Sequence, residues 1–170
     1  VFLNENSEAM FRWFTKMETV DLASFNTSEV TTMNTMFYMM NSLKSIDVSG
    51  FNTSKVTDMN AMFDQTGVIE ELNLSSFDTS NVTDMKWMFF GLNKLKKLNL
   101  TNFDTSRVTN MYGMFDAMTD VSEIKFGTNF TLNLFNFFAL ILCAISLFFC
   151  GNIFFIHGVK SLKNRNFDMN

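Results

Sequence analysis

The sequence predicts an α/β repeat solenoid, in which 26-residue repeats each contribute a short parallel strand and a short helix, followed by one C-terminal transmembrane helix. Three observations predict this arrangement. Apolar and polar positions recur with a 26-residue period between positions 8 and 130. Each repeat has one part with alternating apolar residues and another with apolar residues at helical spacing. A run without any charged residue, at 137–156, follows the repeats.

Equivalent positions in successive repeats, called columns here, keep the same kind of residue. The clearest columns contain phenylalanine, valine or methionine: Phe25, Phe51, Phe77 and Phe103; Val30, Val56, Val82 and Val108; Met33, Met59, Met85 and Met111; and Met36, Met62, Met88 and Met114. A 26-residue period is typical of stacked repeats, which bury their apolar edges against one another. We therefore predict one repeat domain over residues 1–130, with a partial repeat at 1–24 and repeats that start at residues 25, 51, 77 and 103.

The first part of each repeat predicts a short strand. The segment "LKSIDV" at 43–48, with equivalents at 69–74, 95–100 and 121–126, ends in alternating apolar and polar residues, which is typical of a strand with one buried face. One such strand per repeat predicts a parallel sheet. The "F-[ND]-T-S" segment that follows predicts a turn, and we expect its threonine hydroxyls at 27, 53, 79 and 105 to form hydrogen bonds from one repeat to the next.

The second part of each repeat predicts a short helix of about two turns, stabilised by packing. In "KVTDMNAMF" at 55–63, the apolar residues stand at positions i, i+3, i+6 and i+7: Val56, Met59, Met62 and Phe63. Thr57 or Ser54 offers a hydroxyl that would cap the first turn. Methionine at this spacing is more often adaptable core than a soft-metal site, so we expect these methionines to be buried.

An apolar run without charge at 137–156 follows the repeats, and three basic residues follow the run. A run of this length can cross a bilayer core. The run therefore predicts a transmembrane segment over 131–159 and a basic cytoplasmic tail over 160–170, and the positive-inside rule places the repeats outside the cell. The alternatives are a truncation or frameshift product and a buried soluble helix.

The composition argues against catalysis, cofactors, metals and nucleic acid. Residues 1–130 contain 10 basic and 16 acidic residues, whereas a nucleic-acid-binding protein should show a basic face. The single histidine, His157, has no catalytic or metal-ligating partner at a suitable spacing, and the seven glycines form no phosphate-binding loop. The aspartates at 58, 78, 84 and 104 lack the dense oxygen spacing of a calcium loop. We predict that the protein is not an enzyme and has no cofactor, metal or nucleic-acid partner.

The repeat unit "L-x-x-L-x-L-x-x-F-[DN]-T-S-x-V-T-x-M-x-x-M-F" resembles the repeat of BspA-like leucine-rich-repeat surface proteins, in the variant found in bacterial surface lipoproteins and adhesins. The resemblance implies a leucine-rich-repeat-like solenoid that is extracellular, non-enzymatic and binds proteins of a host or a neighbouring cell. Two departures stand out. The first repeat lacks the F-x-T-S part, and the last repeat has its phenylalanine at Phe130 instead of 129.

The outward positions of the predicted strands supply the candidate partner-binding face. They form two columns: Thr19, Ser45, Glu71, Lys97 and Glu123, and Asp21, Asp47, Asn73, Asn99 and Lys125. Trp87 stands in a column of small residues on the helix side, where it is either an exposed contact or a local packing substitution.

The leading functional prediction is a cell-surface protein-binding or adhesion module, anchored in the membrane at its C-terminus. Its partner would be a protein on a host or neighbouring cell, or a second copy of the chain, and residues 137–156 would contact the lipid bilayer. The alternatives are a structural envelope protein that associates with itself, a signalling receptor ectodomain, and an intracellular interaction scaffold if the apolar run is an artefact.

Overall fold

A computed structural model describes residues 1–66 and 68–131, and the regular elements within these residues are five short strands. The strands are Thr19–Asp21 (β1), Ser45–Asp47 (β2), Glu71–Leu72 (β3), Lys97–Leu100 (β4) and Glu123–Phe126 (β5). The five strands pair in parallel and join residues of the same column, as Val20 with Ile46 and Leu98 with Ile124. The strands form one sheet of order β1-β2 and a second of order β3-β4-β5.

The predicted leucine-rich-repeat-like α/β solenoid with a transmembrane helix is wrong for the part of the chain that the structure describes. Residues 1–66 and 68–131 contain no helix, and their strands divide between two small sheets instead of forming one. None of these residues belongs to an apolar helix that could reach across a bilayer. The apolar run at 137–156 and the basic tail at 160–170 lie outside the described residues.

Left-handed backbone positions explain why the predicted helix at 55–63 does not form. Ala61 has a φ of 50°, and its column is left-handed in every repeat: Ala9, Thr35, Trp87 and Gly113 also have positive φ. A second left-handed column follows four residues later, at Trp13, Met39, Gln65, Gly91 and Ala117. A left-handed residue interrupts a right-handed helix and is unfavourable by roughly 1–2 kcal/mol for residues with a side chain. The segment is therefore a series of tight turns.

The hydrogen bonds of this turn segment link neighbouring repeats. The Ala61 N–H donates to the Lys86 carbonyl of the next repeat at 2.8 Å, whereas the Met62 N–H donates to the Met59 carbonyl, three residues earlier, at 3.3 Å. In an α-helix each N–H would donate to the carbonyl four residues earlier. Along this segment, N–H groups that donate to the next repeat alternate with N–H groups that donate to a carbonyl three residues earlier. Hydrogen bonds between repeats therefore take the place of helical hydrogen bonds.

The core consists of columns of identical side chains stacked along the array. The Phe63 ring stacks between Phe37, with centroids 5.3 Å apart, and Phe89, at 6.2 Å. The methionines expected in the core are fully buried: Met33, Met36, Met59, Met62, Met85, Met88, Met111 and Met114. The prediction that these methionines form the core is confirmed.

Threonine hydroxyls join the repeats at the turn after each strand. The Thr27 hydroxyl donates to the Asn52 carbonyl at 2.9 Å and accepts the Asn52 N–H at 2.7 Å. Equivalent hydroxyls donate to the next repeat from Thr53, Thr79 and Thr105. The predicted repeat-to-repeat bonds are therefore confirmed, whereas the predicted helix cap is not: the Thr57 hydroxyl donates to the Thr31 carbonyl of the preceding repeat at 3.2 Å.

Candidate functional site

The ten residues predicted to form a partner-binding face lie on the solvent side of the strands. Nine are exposed and Glu123 is half-buried. The intervening residues, such as Leu72 and Leu98, are buried, because successive side chains of a strand point to opposite faces. We call this solvent side the sheet face. Within each of the two sheets, residues of the same predicted column lie side by side on neighbouring strands.

The second predicted column fixes the turns that follow the strands. Asp21 Oδ1 accepts the Ala23 N–H at 3.0 Å, and Asp47 Oδ1 accepts the Ser49 N–H at 2.9 Å. Asn73 and Asn99 make the same bond. Hydrogen bonds from the Ser49 hydroxyl and N–H hold the pKa of Asp47 below its usual range. Most side chains of this column are thus engaged in Asx turns, which leaves the first column as the variable part of the sheet face.

Opposite charges one repeat apart add a row that the sequence analysis missed. Lys44 Nζ lies 2.9 Å from Glu18, Lys94 Nζ lies 3.0 Å from Asp120, and Lys96 pairs with Glu70. The hydrogen bond to Glu70 raises the pKa of Lys96. These pairs are exposed and contribute little to stability, but they place both charge signs beside the first column. Opposite charges at the repeat spacing are the sequence signal that could have identified them.

An open cleft of about 600 Å³ interrupts the sheet face between β2 and β3. Its lining combines charged, polar and apolar side chains: Lys44, Ser45, Val68, Glu70, Glu71 and Lys94. The strands that flank it belong to different sheets. Val68 is 38% exposed, although its column is polar in the other complete repeats. The cleft therefore offers one apolar side chain surrounded by both signs of charge.

The repeat beside the cleft also departs from the consensus in its interior. Thr66 is fully buried, and its hydroxyl lies 2.7 Å from the Phe63 carbonyl and 3.2 Å from the Phe37 carbonyl of the preceding repeat. The equivalent residues of the other complete repeats are apolar: Met40, Leu92 and Met118. A buried hydroxyl needs such partners, so Thr66 introduces a polar contact between two repeats two residues before Val68.

Trp87 packs against the neighbouring repeat. It is half-buried and lies over Gly113, where an added Cβ would stand 2.4 Å from Trp87 Cδ1. The Tyr112 ring lies edge-on at 6.2 Å between centroids, and Lys86 Nζ stands 3.9 Å from the centre of the indole. The large side chain at 87 and the missing side chain at 113 are therefore complementary.

The turn segment contains one buried carboxyl group away from the sheet face. Asp64 is 5% exposed, and burial raises its pKa to about 6. Its Oδ1 has no hydrogen-bond partner within the part of the chain that the structure describes. Across that same part, no three His, Cys, Asp or Glu side chains come together in a group that could hold a metal ion.

A protein-family model matches most of the chain. The family model described as "Mycoplasma protein of unknown function, DUF285" matches residues 5–128, which is most of the chain. No curated protein and no solved structure matches.

Proposed function

This chain belongs to the family described as Mycoplasma protein of unknown function, DUF285, and from that premise we propose that it is a protein-binding module displayed at the cell surface. The likeness of its repeat motif to BspA-like leucine-rich-repeat surface proteins supports the proposal. Its partner is a protein of a host or neighbouring cell. Association with lipid through residues 137–156 and structural self-association of the envelope stay predictions from the sequence.

The cleft between β2 and β3 is the observation that carries this proposal. Protein interfaces combine apolar anchors with a polar, charged rim. Val68 supplies an exposed apolar side chain, while Lys44, Glu70 and Glu71 supply charges around it. The mixed signs favour a protein partner over nucleic acid, which calls for a basic face. The flanking strands support the cleft on regular, hydrogen-bonded elements.

Site-specific photocrosslinking tests the binding part of the proposal. A benzophenone amino acid is placed at Ser45, which lines the cleft, and separately at Ser106, an exposed serine on a turn outside the sheet face. Both variants of the full chain are expressed in the source cells and irradiated with and without the host or neighbouring cells. We expect a discrete protein adduct from position 45 that Val68→Lys removes. Equal adducts from both positions, or none from position 45, would contradict binding at the cleft.

Protease treatment of intact cells tests the surface part separately. One epitope tag is placed after Ser75, an exposed turn residue, and the blot is compared with that of lysed cells. We expect the tag to disappear from intact cells, because the repeats are accessible from outside. A tag that survives until lysis would rule out display at the surface and leave the intracellular scaffold as the better hypothesis.

A further inference from the structure

The backbone hydrogen bonds that join neighbouring strands are interrupted at the cleft. Just before β2, β4 and β5, an N–H group donates to the carbonyl of the equivalent residue one repeat earlier: Lys44 to Glu18 at 2.7 Å, Lys96 to Glu70 at 3.1 Å, and Ser122 to Lys96 at 2.9 Å. The equivalent bond across the cleft, from the Glu70 N–H to the Lys44 carbonyl, is absent from the described residues. The described parts of β2 and β3 also share no paired residues.

Both backbone groups at this interruption are left without a partner. Within residues 1–66 and 68–131, the Glu70 N–H donates no hydrogen bond and the Lys44 carbonyl accepts none. Both residues are exposed and line the cleft. Unpaired N–H and C=O groups at the edge of a strand are a template for pairing with another chain. The cleft therefore offers one backbone donor on the β3 side and one backbone acceptor on the β2 side.

Three of the four charged side chains that line the cleft already have ionic partners in the array. Lys44 pairs with Glu18, Lys94 with Asp120, and Glu70 with Lys96. Glu71, the fourth, forms no salt bridge within the part of the chain that the structure describes. On the cleft side, the residue of its column is the uncharged Ser45. Glu71 is thus the charged lining residue that can pair with a cation of a partner, and Val68 supplies an exposed apolar side chain in the same cleft.

On the basis of the proposed function, we propose that the partner enters the cleft as an extended peptide segment that carries a lysine or arginine near an apolar residue. The backbone of this segment donates to the Lys44 carbonyl on one side and accepts from the Glu70 N–H on the other, as a strand between two neighbours does. Its cationic side chain pairs with Glu71, and its apolar side chain covers Val68. In such addition of a strand, backbone hydrogen bonds give affinity and side chains give specificity.

Two libraries of synthetic heptapeptides provide the probe. One library has lysine fixed at its centre and the other has glutamate, and the remaining positions are mixtures of amino acids. Each library is passed over the immobilised full 170-residue chain, and the retained peptides are sequenced by mass spectrometry. We expect the chain to retain the lysine library in preference to the glutamate library, with apolar residues enriched near the lysine.

Variants of the protein locate the binding site. Glu71→Lys should reverse the preference in favour of the glutamate library, Glu71→Gln should remove it, and Val68→Ser should remove the enrichment of apolar residues. Glu8→Lys is the matched control, because Glu8 is exposed, lies in a turn away from the sheet face, and undergoes the same change of charge. This variant should select peptides as the wild type does. Circular dichroism establishes that each variant is folded, and Glu71→Gln keeps the test decisive if Glu71→Lys misfolds.

Recognition of the backbone is tested on the most strongly retained lysine peptide. Amide-to-ester replacements, made one at a time along this peptide, each remove one N–H and keep the side chain. We expect one replacement to weaken binding by about threefold to tenfold, which corresponds to one hydrogen bond. Equal affinity of all the esters would mean that side chains alone are recognised, and would overturn the proposal. Equal retention of the two libraries, or an unchanged preference in Glu71→Lys, would overturn it as well.

Failure of this inference is distinguishable from failure of the proposed function. Photocrosslinking at position 45 detects a partner protein in any conformation, whereas the peptide libraries detect extended segments. An adduct that depends on Val68, without selective retention of peptides, would show that the partner contacts the cleft through a folded surface, and the inference alone would be wrong. Absence of both the adduct and the retained peptides would contradict binding at the cleft altogether.

Discussion

Replacing Thr35 with glycine should stabilise the protein, because Thr35 combines a left-handed backbone with an unpaired hydroxyl. Its φ is 50°, a conformation that is uncommon for residues with a side chain and especially for β-branched ones. Its buried Oγ has no hydrogen-bond partner among the residues that the structure describes. Gly113 occupies the same column with a φ of 64°, so the array already accepts glycine there.

The magnitude follows from two steps. Thr35→Ala removes a buried unpaired hydroxyl, unfavourable by about 1–3 kcal/mol, together with a methyl group that contributes about 0.8 kcal/mol. We therefore expect a gain of about 1 kcal/mol from this step. The further change from alanine to glycine relieves about 1–2 kcal/mol of left-handed strain, offset by about 0.4–1 kcal/mol for the extra freedom of the unfolded chain. The sum is about 1–2 kcal/mol, and each kcal/mol raises Tm by about 2–4 °C at this chain length.

Urea unfolding and calorimetry of the full chain measure the series of wild type, Thr35→Ala and Thr35→Gly. Ala23→Gly is the control, since Ala23 is exposed and is not among the residues with positive φ. Glycine should bring no gain there. The alanine-to-glycine step at position 35 decides between turn and helix, because glycine in a helix interior is about 1 kcal/mol less favourable than alanine. A glycine variant less stable than the alanine variant would refute the left-handed turn.

Three further predictions concern the interior. Asp64→Asn should raise the free energy of unfolding at pH 8, because burial raises the pKa of the carboxyl group from 3.8 to about 6. Wild-type stability therefore falls by at most about 3 kcal/mol as the pH rises through this window, and the same fall in the variant would contradict the assignment. Phe63→Ala should lower the free energy of unfolding by about 3–5 kcal/mol, since it opens a cavity beside the stacked Phe37 ring, and Phe63→Leu should lower it less. Thr79→Val should lower it by about 1–3 kcal/mol, because the Thr79 hydroxyl both donates to the Asp104 carbonyl and accepts its N–H. Thr79→Ser should retain most of this stability, and equal losses in urea titrations would count against the hydrogen-bond explanation.

The strand positions were predictable because alternation of apolar and polar residues directly reports a half-buried extended chain. The turn segment was not, because apolar residues three or four positions apart fit consecutive tight turns as well as they fit a helix. Val56, Met59 and Met62 are buried in either arrangement. Gly113, inside a segment predicted as helix, was the sequence signal for a left-handed turn. The structure shows what it meant, because Ala61 in the same column also has a positive φ.

The candidate site was predictable in part. Alternation along the strands placed Ser45 and Glu71 correctly on the solvent side, where the structure also finds them. The cleft was not predictable, since a 26-residue period implies uniform spacing between neighbouring strands. The interruption of the sheet lies next to Thr66, whose contacts with two carbonyls appear only in three dimensions. Val68, apolar in an otherwise polar column, was the signal available in the sequence.

Departures from the repeat consensus separate into two kinds, and the difference bears on function. The tryptophan at position 87 is matched by the glycine at position 113, in the same column of the next repeat, which leaves room for the indole. This departure is absorbed by packing and leaves the array continuous. The departure at Val68 has no such match: an apolar side chain stays exposed beside an interrupted sheet. Under the proposed function a partner covers this valine, so Val68→Lys should weaken binding without lowering stability.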